Sequence, residues 1–210
     1  SKGKTQVKTS HNITYTLRVN LQNLYLGGAF TLYVPRRVVC RRCKETGDPS
    51  RCENCTDCPP REEKRLVQTG RRIHHMVHTV PTGEVCREIF VPLEVDVAPG
   101  ASWGDIQVFE HMSHQIPGEV PGHIRLQLAE AENGTSALWS RSGDDLYFPV
   151  VITVLEALTG FERLIRHLDS HTVRVKTDAV SHPGQSIQVR GEGMPRKKSP
   201  STRGDLYINI

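Results

Sequence analysis

Residues 11–21 alternate without interruption: Ile13, Tyr15, Leu17, Val19 and Leu21 fall on one side, Asn12, Thr14, Thr16, Arg18 and Asn20 on the other. A period of two is that of a half-buried strand. Leu26-Gly27-Gly28 reads as a turn. Phe30, Leu32 and Val34 then alternate with Thr31 and Tyr33 in a second strand, which Pro35 is expected to end because proline brings no N–H to a ladder. The two strands are expected to pair antiparallel. Strand patterns return at 72–80, at 88–97 with Ile89, Val91, Leu93, Val95 and Val97 on one face, at 107–110 and at 123–128. After a polar connector at 130–134 they resume at 147–155, 172–177, 186–190 and 206–210, with a single helical turn expected at 155–159.

Between Arg36 and about Glu63 the pattern gives way to Arg, Lys, Cys, Pro and Asp with almost no apolar residue, so this stretch must be held by cross-links or metal. The expected fold is all-β, with two tandem small β-sandwich domains. The first covers 1–136 and carries a cysteine-rich insert at about 36–87; the second covers 137–210. A chain of 210 residues with 13 Pro and 17 Gly fits turn-punctuated strands better than a helical bundle.

Charge narrows the function classes. The 27 basic and 23 acidic residues leave a net charge of only +4, which gives no strong expectation of nucleic acid as partner. No run approaches the roughly 18 apolar residues of a membrane span, so no membrane partner is expected.

The cysteines carry the sharpest chemistry. Cys40-x-x-Cys43 and Cys52-x-x-Cys55 have the spacing of a four-thiolate zinc site, each pair clasping the ion from a tight turn. Cys58 and Cys86 make six, an even number that leaves disulfides equally open. One zinc ion at most is expected. A redox-active Cys-x-x-Cys is the enzyme alternative, but a low-pKa thiol usually opens a helix after a strand, whereas Cys40 leads into Arg41-Arg42-Cys43-Lys44. Arg36, Arg37, Arg41, Arg42 and Lys44 raise a second alternative, a nucleic-acid-binding zinc ribbon, which Glu45, Asp48, Glu53 and Asp57 oppose. His74, His75 and His78, like His111 and His114, lie in strand or loop segments where such spacings do not converge, and are read as solvated. Asp144 and Asp145 are read as turn residues, and Gly160, Gly191, Gly193 and Gly204 as turn glycines at positive φ.

A set of landmarks runs in fixed order: Asn23-Leu24-Tyr25-Leu26-Gly27, the cysteine insert, Val97-Ala98-Pro99-Gly100, Pro121-Gly122, Gly143-Asp144-Asp145-Leu146, Glu156 to Phe161, Gly191-Glu192-Gly193-Met194-Pro195 and Gly204-Asp205-Leu206-Tyr207. In this the chain resembles the C-terminal client-binding half of DnaJ-type co-chaperones, over nearly its whole length.

The resemblance implies a module without enzymatic activity that holds unfolded polypeptide by β-augmentation, an extended segment adding a strand to an open sheet edge. It places Ile13, Leu32 and Val34 in a shallow apolar pocket, with the strand around Phe30 to Val34 offering its edge, and two further pocket positions at Gln127 and Arg163, where the family often has apolar residues. Ordinary core packing is the competing role for Ile13, Leu32 and Val34. The partner implied is a seventy-kilodalton heat-shock ATPase, reached through a J-domain whose His-Pro-Asp is absent here. The fragment is expected to be monomeric and its parent a homodimer. The family's usual insert has four Cys-x-x-Cys-x-Gly-x-Gly repeats and two zinc ions; this chain keeps two pairs, so the second site is expected to be lost. A degenerate insert resembles endoplasmic-reticulum luminal members, in which such cysteines form disulfides. The sequons at Asn12, Asn54 and Asn133 point the same way, with the cytoplasm as the alternative location.

Overall fold

The computed structural model describes residues 8–42, 54–69, 72–131 and 138–210. Its regular structure is mostly strand. In chain order the elements are β1 (Ile13–Val19), α1 (Leu21–Leu26), β2 (Gly28–Val39), β3 (Cys55–Asp57), β4 (Arg61–Thr69), β5 (Arg72–Val80), β6 (Val85–Val97), β7 (Ile106–Phe109) and β8 (Ile124–Glu130). They continue with β9 (Ser140–Ser142), β10 (Asp145–Pro149), α2 (Val154–Thr159), β11 (Phe161–Arg166), β12 (Thr172–Thr177), β13 (Ser186–Val189), β14 (Pro195–Arg196), β15 (Ser199–Arg203) and β16 (Leu206–Asn209).

These elements form two compact units. One holds the described residues of Ser1–Tyr15, Thr31–Leu93 and Ile106–Leu126; the other holds those of Thr16–Phe30, Glu94–Asp105 and Gln127–Ile210. The strands β1, β2, β6 and β8 each contribute residues to both.

In the first unit, two three-stranded sheets, ordered β1-β8-β7 and β2-β6-β3, share a core. Val34, Leu93 and Ile124 are its buried centre, with Tyr15, Leu32, Phe109 and Met112 packed against it. The expected hairpin of β1 with β2 is therefore not formed. β1 pairs with β8, and β2 pairs with β6. Alternation specifies which face of a strand is buried, not which neighbour it finds. Pro35 also does not end β2, which runs on to Val39. Among the described residues of the insert, β3 pairs with β6, Thr56 opposite Cys86, and β4 and β5 form a nine-pair antiparallel ladder that composition does not suggest.

The second unit has a four-stranded sheet in the order β13-β16-β10-β9 and two hairpins, β11–β12 and β14–β15. Leu146, Met194, Leu206 and Ile208 are fully buried. Helix α1 was not legible as an alternation; Asn20 caps it by accepting from the Asn23 N–H at 2.8 Å. The strand expected at 147–155 stops at Pro149, and Thr153 with Glu156 then forms a capping box that opens α2.

Of the four glycines read as turn residues, Gly160 and Gly191 do have positive φ. Gly193 and Gly204 do not, and are needed for another reason. A Cβ on Gly204 would lie 2.1 Å from the Asp144 carbonyl oxygen, and one on Gly193 would lie 2.3 Å from the Gly204 carbonyl carbon. Backbone passes too close for any side chain.

Candidate functional site

Strand β2 is the terminal strand of its sheet, with β6 as its one strand partner among the described residues. Its first seven residues, Gly28-Ala29-Phe30-Thr31-Leu32-Tyr33-Val34, contain no charge and no proline. Edge strands are normally guarded by such residues, because an open ladder recruits other chains. Here the guard begins only at Pro35.

Beyond that point the edge is covered. The Arg37 N–H donates to His114 Nδ1 at 3.1 Å, and the Arg37 carbonyl accepts from the Gln115 N–H at 2.9 Å. The Val39 N–H donates to Gln115 Oε1 at 2.9 Å, and Arg36 clamps the same loop by donating to the Ser113 and His111 carbonyls at 3.1 and 3.0 Å. The N–H and C=O of one strand residue point to the same side, and alternate residues share that side. Arg37 therefore identifies the outward set as Ala29, Thr31, Tyr33 and Pro35. Proline falls where a missing N–H costs the ladder nothing, the placement that edge strands allow.

The alternate set faces inward. Phe30 and Leu32 are half-buried, while Val34 is only 1% exposed and belongs to the core with Leu93 and Ile124. Leu32 packs on that core beside Tyr15, Phe109 and Met112, and the Tyr15 hydroxyl donates to the Pro35 carbonyl at 3.3 Å. Burial raises the Tyr15 pKa, and Glu88 raises it further, so the phenol keeps the proton this bond needs. Ile13 is half-buried on the same strand face as Tyr15.

The structure thus brings Leu32 and Val34 together. Gln127 is exposed and alternates with the buried Leu126 and Leu128, so it lies on the opposite face of β8. Arg163 is held elsewhere in its own unit, in an ion pair with Glu156. The Glu156 carboxyl is kept below its usual pKa by the Thr153 N–H first, then by Arg163. Sequence reasoning did not assign Phe109 and Met112 to this cluster; they sit in and after the short strand β7 and show no alternation long enough to read.

In the insert, Cys58 and Cys86 form a disulfide, with Cα atoms 4.8 Å apart. Cys40 is buried and its N–H donates to the Val85 carbonyl at 2.8 Å; Cys55 is half-buried at the start of β3. Cys43 and Cys52 lie outside the described residues, as does the Asn133 sequon. His74 and His78 are exposed on β5. His111 is exposed, as expected of a solvated histidine, with its Nδ1 3.0 Å from the Pro121 carbonyl, whereas His114 is half-buried and accepts from Arg37.

Residues 13–210 match the DnaJ C terminal domain. The chain is 30% identical to mouse DnaJ homolog subfamily A member 2, over 100% of this chain and 56% of that protein. It is 30% identical to the rice DnaJ protein ERDJ3B, over 95% and 54%, and 32% identical to rat DnaJ homolog subfamily B member 11, over 95% and 53%. The chain spans about half the length of the curated relatives it matches. An unguarded edge strand over an apolar core, the ordered landmarks and a match across nearly every residue lead to one conclusion: this chain belongs to the DnaJ family, as its C-terminal domain region.

Proposed function

We propose that this region is the client-binding part of a co-chaperone, which takes extended, unfolded polypeptide as an added strand on β2 and delivers it to a seventy-kilodalton heat-shock ATPase. The observation that carries the reading is the stretch Gly28–Val34, a terminal strand without charge or proline. A client strand would pair with the outward backbone groups of Ala29, Thr31 and Tyr33, and those bonds accept any sequence. Preference would come from the half-buried Phe30, Leu32 and Ile13, with Val34 supporting them from below. Gln127 and Arg163 play no part in this reading.

The test is hydrogen exchange with an unfolded client or an apolar heptapeptide. The Ala29, Thr31 and Tyr33 amides gain protection on binding. Tyr33→Pro removes one outward N–H and leaves the β6 ladder intact, and it weakens binding at least tenfold while circular dichroism is unchanged. Leu32→Asp does the same through the pocket, but it also perturbs the core; Tyr33→Pro is therefore the deciding variant. Binding without new protection on β2, or undiminished in folded Tyr33→Pro, refutes the reading.

The Cys58–Cys86 bridge favours an oxidising compartment, the endoplasmic-reticulum lumen, over the cytoplasm. The parent protein is proposed to be a homodimer. Zinc remains a proposal for Cys40, Cys43, Cys52 and Cys55, with one ion at most.

A further inference from the structure

The turn joining β11 to β12 runs His167-Leu168-Asp169-Ser170-His171. Its ends are tied by the His167 N–H donating to the His171 carbonyl at 2.8 Å, and it is tightened by the Ser170 N–H donating to the His167 carbonyl at 3.0 Å, with Ser170 at φ 74°. The turn thereby stacks the two imidazoles, centroids 4.7 Å apart, and brings Asp169 Oδ1 to the Nδ1 atoms of both rings. One donor atom from each of His167, Asp169 and His171 lies within 4.8 Å of the other two.

The protonation pattern is set by one neighbour. His167 Nε2 lies 3.0 Å from the Glu192 backbone carbonyl, which can only accept, so this nitrogen carries the proton. Nδ1 is then a lone pair. It is buried, without a hydrogen-bond partner in the structure, and it faces Asp169 Oδ1 at 3.6 Å. The His167 side chain is 0% exposed, enclosed by the Tyr25 and Trp139 rings, each with its centroid 4.9 Å away. Two electron-rich atoms face each other with no hydrogen between them, an arrangement that ordinarily costs free energy in a buried site.

His171 repeats the pattern. Its Nε2 lies 3.0 Å from Glu192 Oε2, and its Nδ1 contacts Asp169 Oδ1. One residue, Glu192, thus takes the outer nitrogen of both rings, one through its carbonyl and one through its carboxylate. Metal-bound histidines have this outer-shell partnership, which holds the ring and its tautomer while the other nitrogen ligates.

We propose that His167 Nδ1, His171 Nδ1 and Asp169 Oδ1 form a binding site for a zinc-like divalent transition-metal ion, positioned by Glu192 and distinct from the cysteine insert. A mixed imidazole and carboxylate set suits this class of ion. Tetrahedral bonds of about 2.0–2.1 Å put neighbouring ligand atoms roughly 3.3 Å apart, close to the 3.6 Å between His167 and Asp169. The Asp169–His171 hydrogen bond holds its two atoms closer together than that, so ion entry breaks this bond and turns both atoms to the ion. Three protein ligands leave a coordination position for water or for a side chain brought by another molecule.

The experiment is calorimetric titration of zinc into the whole chain after its accessible thiols have been alkylated, with nitrogen-15 NMR of the histidine rings in parallel. One ion binds, and the His167 and His171 Nδ1 resonances move while those of His74 and His78 do not. His171→Gln and Asp169→Asn, both at partly exposed positions, weaken binding at least tenfold while circular dichroism is unchanged. Glu192→Gln, which changes only the outer partner of His171, weakens it by about tenfold. No heat from the alkylated chain, equal affinity in His171→Gln and Asp169→Asn, or unmoved Nδ1 resonances would each overturn the assignment.

Discussion

Gly204→Ala tests the claim that the C-terminal landmarks encode close backbone passage. The added Cβ would lie 2.1 Å from the Asp144 carbonyl oxygen and 2.6 Å from its carbon. It needs roughly 1 Å more room. Neither side can give cheaply. The Met194 N–H donates to that same Asp144 carbonyl at 2.8 Å, the Gly204 N–H donates to the Met194 carbonyl at 3.0 Å, and the Gly193 N–H donates to the Gly204 carbonyl at 2.8 Å. A shift of that size breaks about two of these bonds at roughly 1 kcal/mol each and strands buried groups at a further 1–2 kcal/mol, about 3–4 kcal/mol in all. Gly143→Ala is the comparison: its Cβ would meet nothing within 4 Å, and the cost is that of φ 62° alone, about 1–2 kcal/mol. Urea unfolding of both variants, followed by tryptophan fluorescence and fitted for the midpoint, measures the difference. If Gly204→Ala costs no more than Gly143→Ala, the close-approach argument fails.

The Cys58–Cys86 bridge closes a loop of sequence separation 28, so Cys58→Ser with Cys86→Ser should lower stability by roughly 3–4 kcal/mol in denaturant melts; an unchanged midpoint would show that the loop is already constrained. Burial lowers the His114 pKa, and the neighbouring Arg37 lowers it further. A histidine kept neutral by the fold contributes stability that is complete above its ordinary value, about 6.5, and is lost as pH falls from there through the depressed folded value. Melts from pH 7 to 5 should therefore show a loss that His114→Asn reduces, since an amide oxygen can still accept from Arg37. Thr153→Ala removes the α2 cap and should cost about 1 kcal/mol, with faster amide exchange at Glu156 as the local signature.

Much of the strand content could be read directly, because alternation is a local property. The run Ile13 to Val19, the strand at 172–177 and the one at 206–209 appear where the pattern places them. The six-residue helix α1 escaped it for a physical reason: it has too few turns to establish a 3.6-residue period, and only its Asn20 cap announces it. The insert misled in a related way. Its β4–β5 hairpin is held by a nine-pair ladder, which composition does not report.

Pairing partners are a different kind of information. Tyr15 and Leu32 look like neighbours on a hairpin, yet they meet as opposing faces of two sheets, since burying both apolar faces in one core outweighs the short connection between them. The terminal place of β2 among the described strands, the cover over Arg37 and the position of Gln127 on the outer face of β8 all follow from that arrangement. His167, Asp169 and His171 gave no metal signal because a spacing of four residues converges in a strand hairpin only when a tight turn closes it. Periodicity along the chain settles which face of a strand is buried; sheet order, terminal strands and clusters drawn from distant segments arise only when the strands assemble, because those contacts depend on which faces meet.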